Sequence, residues 1–386
     1  MFSIDNFYFI LYENLLKQAD VQLHYYYPFG STDANDIIEY PEHSSVWKNH
    51  MLIHDQEPII NSLPVLPNEI TKFNQCKILA NSEHSSYKTE QCRQNNWEDF
   101  YYFFHGFAAL YWYNDWKYFS TVERNFTHPF INLNRLVSND RSYRLLLVTK
   151  MIEQDLHKKG LVSLSLMDHG YGNYRNELSS SNSKLSGTQK YFIDTQLAKI
   201  DYKSLIVDTE EPEGNLSASA GIQYFNLNQK ALWNIVSETV FYHNKLHLTE
   251  KIFKPIACRR PFILVAAPGN LAYLKSYGFK SFDRWIDESY DQEYDHDKRL
   301  EKIVIEIRKI SSLNTSELKI MHNEMQDVLQ HNYRHFYGNF KQILIKELID
   351  NFKNLLINWN DKTDNKNLLI DLKRIDFAKA FDALMV

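Results

Sequence analysis

The sequence predicts an α/β fold with two lobes, each built on a parallel sheet. A single helical segment follows the second lobe at the C-terminus. Short apolar runs alternate with polar or helical stretches between residues 51 and 266. Each run is followed by polar residues, which is typical of the carboxyl ends of parallel strands. The length of 386 residues is sufficient for two large lobes. Residues 296–386 instead follow a mostly helical pattern.

The first lobe, residues 1–128, is expected to contain three buried strands with polar residues at their carboxyl ends. The strands are residues 51–53, 77–80 and 101–104, and the polar segments that follow them are residues 54–58, 81–86 and 105–106. Because functional groups of parallel sheets collect past the strand ends, these segments are the places to search for chemistry in this lobe.

The second lobe, residues 129–335, alternates strands and helices most regularly. The predicted strands are residues 130–133, 161–166, 232–237 and 262–266, and the predicted helices are residues 141–158, 249–258 and 271–277. Asp140 and Thr249 are suitable N-caps, and Pro261 follows the end of the second helix. Residues 167–190 and 208–221 are rich in small polar residues and are expected to be loops. Residues 336–386 form the C-terminal helices, which we expect to brace the lobes.

Composition excludes several classes of protein. The 43 Lys and Arg residues against 48 Asp and Glu residues give a net charge of −5, which excludes a broadly basic nucleic-acid binder. The three cysteines, Cys76, Cys92 and Cys258, have no metal-ligand spacing and an odd count, so neither a zinc site nor a disulfide framework is expected. Without a signal peptide or an apolar run of about 18 residues, a cytoplasmic protein without a membrane span is expected.

Glycine is scarce, at 11 of 386 residues. Glycine-rich loops are the usual way in which a backbone approaches phosphates closely. If this chain binds a nucleotide, its side chains must therefore do more of the holding.

A first group of candidate residues lies around the helix that begins after Thr249. Glu250 occupies its first turn, and Lys251 and Lys254 are three residues apart, so they can share a face. A helix start with ammonium groups suits a diphosphate, and a carboxylate can accept hydrogen bonds from two ribose hydroxyls. Glu238 precedes this segment across a loop. An ordinary capped helix with solvated charges accounts for the same residues.

A second group follows the first strand of the second lobe. Arg135 lies on the connection from the strand to a helix, and Arg141 and Arg144 are three residues apart at the helix start. Guanidinium groups donate forked hydrogen bonds to phosphate oxygens and stay charged at any working pH. The pattern does not decide between Arg141 and Arg144, and a salt-bridged helix start is the alternative interpretation.

A general base could lie in the first lobe. Asp55 and Glu57 follow its first strand together with His54, and His105 follows its third strand. Either carboxylate or an imidazole can take a proton from an attacking hydroxyl. Polar residues at a strand end are also common in plain loops. The triplet Asp295-His296-Asp297 matches a metal-binding pattern, but one such triplet among 48 acidic residues is expected by chance, so no metal is assigned.

The segment from Thr249 to Ala257, together with Arg260 to Leu264, resembles the donor-binding segment of GT-B glycosyltransferases, and most closely the α1,3-fucosyltransferase-like group. The chain is also similar to uncharacterised glycosyltransferase-like proteins of phages and environmental bacteria, and this similarity in sequence extends to residues 278–282 and 287–291. The specific resemblance covers residues 130–165 and 235–300. Glu238 is followed by Thr239-Val240 where the fucosyltransferase pattern has Asn-Ser, so the resemblance implies a nucleotide sugar rather than GDP-fucose in particular.

This resemblance implies a two-lobed GT-B enzyme that moves a sugar from a nucleotide sugar to an acceptor hydroxyl without a metal. Glu250 would hold the ribose and Lys251 the diphosphate, with the acceptor on the first lobe. The acceptor would be a glycan, a protein or a hydroxymethylated DNA base, and a viral protein would work in the host cytoplasm. The alternatives are a non-catalytic nucleotide- or carbohydrate-binding module and a phage structural or interaction protein.

Overall fold

A computed structural model shows that the chain has an α/β fold. The structure describes residues 4–26, 37–40, 49–53, 58–59, 76–119, 126–168, 172–201, 205, 221–362 and 369–385. The chain divides into two compact units. Unit 1 combines Met1–Tyr111 with Asn339–Val386, and unit 2 is Trp112–Gly338. The C-terminal helices therefore belong to the same unit as the N-terminal sheet.

The strands, numbered along the chain, are β1 (Val21–Tyr26), β2 (Ile37–Tyr40), β3 (Asn49–Ile53), β4 (Cys76–Asn81), β5 (Glu98–Tyr101), β6 (His128–Asn134), β7 (Leu161–Leu164), β8 (Met167–Asp168), β9 (Gly172–Asn173), β10 (Ala231–Ser237) and β11 (Phe262–Val265). The α-helices are α1 (Ile4–Leu11), α2 (Ser86–Gln94), α3 (Phe104–Trp112), α4 (Tyr143–Glu153), α5 (Tyr174–Ser179), α6 (Gly187–Leu197), α7 (Ile222–Gln229), α8 (Phe253–Ala257), α9 (Asn270–Ser276), α10 (His296–Ser312), α11 (Thr315–Glu324), α12 (Gln326–Tyr337), α13 (Phe340–Lys362) and α14 (Phe377–Met385).

Unit 1 is built on a sheet with the strand order β2-β1-β3-β4-β5. Strands β1, β3, β4 and β5 are parallel, and β2 pairs with β1 in the antiparallel sense. Helix α2 makes the crossover from β4 to β5, and its N-cap Ser85 accepts a hydrogen bond from the backbone N–H of Lys88. Helix α13 packs against β5, and α14 packs against α1 and α13.

Unit 2 is built on a parallel sheet with the strand order β11-β10-β6-β7. Every residue of β10 and β11 is buried, as expected for strands covered on both faces. The register aligns the carboxyl ends of the strands, because Ser237 pairs with Val265 and Asn134 pairs with Leu164. The connections that follow the four strands therefore begin along the same edge of the sheet.

Most of the predicted elements are confirmed, since predicted strands fall within β3, β4, β6 and β10, and the strand predicted for residues 262–266 matches β11 except at its last residue. Thr249 is confirmed as an N-cap, and its helix opens with a 3-10 turn, Glu250–Ile252, before α8. Arg259 ends that helix in a left-handed conformation, with φ of 54°. The described residues contain no helix that is both long enough and apolar enough to cross a membrane.

Three predictions were wrong. The aromatic run 101–104 is not a strand, because β5 ends at Tyr101 and α3 begins at Phe104. The end of a strand and the start of a helix therefore both lie within this buried run. The helix predicted for residues 141–158 is shorter, and Asp140 does not cap it, since it lies in the 3-10 turn Asn139–Arg141 that precedes α4. The segment 167–190 is not only loop, because local caps such as Asn173 and Ser186 start α5 and α6 within it.

Gly160 provides a test of the packing in unit 2. A methyl group there would lie 2.4 Å from the ring of Phe130, which is fully buried on β6. We expect Gly160→Ala to lower the free energy of unfolding by about 1–3 kcal/mol, because the ring cannot move aside in a packed core. Gly187→Ala is the matched control, since nothing lies within 4 Å of the added methyl group. Equal thermal unfolding midpoints for the two variants would contradict this packing.

Candidate functional site

The carboxyl edge of the unit 2 sheet contains a topological switch point between β6 and β10. The chain passes from β6 to β7 on one side and then returns to the other side of β6 for β10 and β11. Because such crossovers are right-handed, connections that move in opposite directions lie on opposite faces of the sheet. The connections after β6 and β10 therefore leave towards opposite faces of the sheet, and open α/β sheets often bind their ligands at the edge where this happens.

A buried polar network lies at the carboxyl ends of β6, β10 and β7. The side-chain amide of Asn132 donates to the carbonyl oxygen of Ile235 at 2.8 Å and to the hydroxyl oxygen of Ser237 at 3.1 Å. The amide of Asn134 donates to Oδ1 of Asn132 at 2.6 Å and to the carbonyl oxygen of Ser163 at 3.3 Å. These bonds join β6 to β10 and β7. Oδ1 of Asn134 is buried and accepts no hydrogen bond from the described residues.

Arg144, in the first turn of α4, holds the end of β10 through hydrogen bonds to its backbone. Its guanidinium is buried and donates to the carbonyl oxygens of Leu136, Ser237 and Glu238 at 2.9, 3.0 and 2.9 Å. The hydroxyl of Tyr143 also donates to the carbonyl oxygen of Glu238, at 2.5 Å. Burial raises the pKa of Tyr143, so this hydroxyl keeps its proton. Arg144 is thus a structural cation whose donors are already engaged.

Glu238 is a fully buried carboxylate that holds the start of the next helix. Its Oε2 accepts a hydrogen bond from the hydroxyl of Thr249 at 2.5 Å, and its Oε1 accepts one from the backbone N–H of Thr249 at 3.2 Å. The N–H of Thr239 also donates to Oε2 at 3.3 Å. The loop between Glu238 and Thr249 is therefore closed at its base, and Thr249 is placed next to the end of β10.

The bonds from Thr249 to Glu238 place Glu250 and Lys251 at the carboxyl edge of the sheet, and we call the surface that they form there the rim. Nζ of Lys251 lies 3.0 Å from Oε1 of Glu250 and 3.1 Å from the hydroxyl oxygen of Thr249. The side chain of Lys251 is 32% exposed and that of Glu250 is 13% exposed, so the lysine is the more accessible of the two. Lys254 points elsewhere, because its ammonium lies 5.4 Å from the centre of the Tyr224 ring. The Lys254 ammonium therefore lies against α7, whereas the Lys251 ammonium pairs with Glu250.

Arg135 and Arg141 lie on the connection that leaves β6. Arg135 directly follows Asn134 and is exposed, and Arg141 is half-buried in the 3-10 turn before α4. The register of β6 and β10 places Asn134 beside Ser237, so Arg135 leaves the sheet beside Glu238. Two guanidinium groups and the ammonium of Lys251 therefore belong to the same edge of the sheet.

Two contacts across this edge were not foreseen from the sequence. Nε2 of His243 lies 2.7 Å from Oδ1 of Asp140, and the hydroxyl oxygens of Ser142 and Tyr242 lie 3.2 Å apart. Both contacts join the connection after β6 to the loop after β10. Burial raises the pKa of Tyr242, so it bonds as a neutral phenol. No local pattern signals pairs that lie about 100 residues apart.

Of the three candidate bases, the structure describes only His105. Asp55 and Glu57 lie outside the described residues. His105 lies in the first turn of α3 in unit 1, is buried, and meets the ring of Phe104 edge-on. Asp295 of the metal-like triplet caps α10 by accepting hydrogen bonds from the N–H groups of Asp297 and Lys298. In the described part of the chain, no cluster of three His, Cys, Asp or Glu side chains could hold a metal ion.

Comparison with known proteins adds no relative. No protein-family model matches the chain, and no curated protein or solved structure is significantly similar to it. This edge combines an exposed guanidinium, a partly exposed ammonium and a mostly buried carboxylate beside the hydrogen-bonded network of Asn132 and Asn134. This set suits a ligand that carries both phosphates and hydroxyl groups.

Replacement of Arg144 tests the structural role of that residue. Arg144→Met removes the donors of three buried carbonyl groups, which we expect to cost about 3 kcal/mol in the free energy of unfolding. Arg135→Met is the matched control, because Arg135 is exposed, and it should change stability by less than about 0.5 kcal/mol. Thermal unfolding of both variants measures the difference. A midpoint for Arg144→Met equal to that of the unmodified protein would contradict the assignment.

Proposed function

We propose that the protein is a glycosyltransferase that takes its sugar from a nucleotide-sugar donor bound at the carboxyl edge of the unit 2 sheet. The proposal rests on one observation above all. At the switch point, Arg135 follows the end of β6, and Glu238 at the end of β10 binds Thr249, which directly precedes Glu250 and Lys251. A diphosphate needs cations and a ribose needs a hydrogen-bond acceptor, and both are present on this rim.

Each rim residue has a role in this proposal. Arg135 and Lys251 hold the diphosphate, with Arg141 as a further cation, and the carboxylate of Glu250 accepts hydrogen bonds from the ribose hydroxyls. Glu238 and Thr249 position Glu250 and Lys251, and Arg144 positions Glu238. Lys254 is not assigned to the donor, because its ammonium lies over Tyr224. The resemblance of the segment 249–264 to GT-B donor sites supports the same assignment.

The reaction follows from the charges. The acceptor hydroxyl attacks the anomeric carbon, the bond from that carbon to the phosphate oxygen breaks, and the nucleoside diphosphate leaves with added negative charge. Fixed cations beside this oxygen stabilise the transition state. The cations supply the charge that a divalent metal would otherwise supply. A base takes the proton of the acceptor hydroxyl, and Asp55, Glu57 and His105 are its candidates.

The GT-B architecture is part of the proposal. The donor would bind within residues 129–335 and the acceptor within residues 1–128, with residues 336–386 as the bracing helices. The acceptor would be a glycan, a protein or a hydroxymethylated DNA base, in the host cytoplasm if the protein is viral. If the acceptor is DNA, the affinity of the protein for DNA should fall steeply as the salt concentration is raised, because phosphate contacts release counterions.

Donor binding can be tested with a thermal-shift screen of GDP, UDP, ADP, CMP and dTDP sugars, with and without Mg²⁺. Binding to the native state raises the unfolding midpoint by mass action. One nucleotide class should stabilise the protein without metal, and Arg135→Ala, Glu250→Ala and Lys251→Ala should each weaken its binding at least about tenfold.

Lys254→Ala is the matched control, because it removes an ammonium from the same helix but not from the rim. It should bind the donor with unchanged affinity. No stabilisation by any nucleotide sugar would overturn the proposal. Stabilisation without sugar transfer or donor hydrolysis would instead identify a non-catalytic nucleotide-binding module.

A further inference from the structure

Unit 1 contains a pocket that the proposed function does not use. It lies along β5, the last strand of the sheet as described, and has a volume of about 240 Å³. Strand β5 forms one wall, helix α13 forms another, and His84, from the segment that follows β4, completes it. All of these elements belong to unit 1.

Three amides line the helical wall of the pocket. Asn351, Asn354 and Asn358 lie at positions that share one face of α13, together with Leu355. Asn354 and Asn358 are exposed, and Asn351 is fixed by donating to the carbonyl oxygen of Tyr101 at 3.0 Å. Each amide both donates and accepts hydrogen bonds, which matches a hydroxyl group that does the same.

Two acidic residues of β5 line the pocket, and each is paired with a lysine. Glu98 lies 2.6 Å from Nζ of Lys362, and Asp99 lies 2.8 Å from Nζ of the buried Lys88. The pairs hold the carboxylate oxygens in place and compensate their charge. The pocket therefore offers strong acceptors without attracting a free cation or a polyanion strongly.

His84 adds a flat, uncharged surface. Its ring stacks on Tyr101 with ring centres 3.7 Å apart and planes inclined by 27°, yet the residue remains exposed. Partial burial against this ring and the nearby ammonium of Lys88 lower the pKa of His84 to about 4. The imidazole is therefore neutral at pH 7, and its outer part can contact C–H groups of a ligand.

The composition of the pocket discriminates between ligand classes. A nucleotide would bring phosphates beside Glu98 and Asp99, whose paired charges offer no net attraction to a phosphate. The pocket is also smaller than the roughly 300–1,000 Å³ of typical drug-sized sites. An apolar ligand would leave three amides and two carboxylates desolvated. A neutral sugar ring has hydroxyl groups for the amides and carboxylates and an apolar face for His84 and Leu355.

We propose that this pocket between β5 and α13 binds a neutral monosaccharide unit, as a saccharide-binding site on unit 1. The proposal does not depend on a nucleotide-sugar donor. A single ring in a small polar pocket binds weakly, with a dissociation constant on the order of millimolar. Such a site would hold a glycan chain through one of its units.

The test is saturation-transfer NMR of the full chain with the methyl glycosides of glucose, galactose, mannose and N-acetylglucosamine, and with thymidine as a nucleoside. At least one glycoside should receive saturation, and the variant Asn354→Ala/Asn358→Ala should weaken its binding at least about fivefold. Gln342→Ala is the matched control, since it removes an exposed amide from α13 three turns away from the pocket. It should bind the glycoside as the unmodified protein does.

Three results would overturn this proposal. One is the absence of saturation transfer to every glycoside at about 50 mM, where millimolar binding is visible. Another is glycoside binding that the double variant leaves unchanged, since the sugar would then bind elsewhere. The third is binding of thymidine that the double variant abolishes while the glycosides do not bind, which would assign the pocket to a nucleoside. None of these results bears on donor binding to unit 2, so the two proposals can fail separately.

Discussion

The buried guanidinium of Arg144 is the constraint on which the carboxyl edge of the second sheet depends. A cation removed from water is costly unless its donors are satisfied, and here three carbonyl oxygens satisfy them. Two of these oxygens belong to Ser237 and Glu238, so the backbone at the end of β10 is held in one position. The carboxylate of Glu238 can then fix Thr249, and Thr249 carries Glu250 and Lys251 to the rim. The accessible charges are thus placed by buried ones.

Much of the fold could be predicted because its signals are local. The strands β3, β4, β6, β10 and β11 are apolar runs bounded by polar residues, and Thr249 is a cap read from its neighbours. The errors also have a local cause. The run 101–104 is apolar throughout, and burial alone does not distinguish the end of a strand from the start of a helix. The segment 167–190 looked like a loop because its helices are short and rich in polar residues.

The candidate site could be predicted only in part. The sequence singled out Arg144, Glu238 and Thr249 as candidates, but spacing could not show that their polar groups are engaged within the protein. It also suggested that Lys254 acts with Lys251, whereas Lys254 lies over Tyr224. Contacts such as that of Asp140 with His243 depend on the order of strands in the sheet, which brings distant residues together. Scarce glycine fits this picture, because side chains rather than a glycine-rich loop line the edge.

A crystal structure of the protein with a non-hydrolysable nucleotide sugar would show most directly where the donor binds. We expect the diphosphate to lie at the switch point between β6 and β10. Its oxygens should contact the guanidinium of Arg135 and Nζ of Lys251, and the ribose hydroxyls should donate to Glu250. A nucleotide bound away from this edge, with no contact to these three residues, would contradict the proposed donor site.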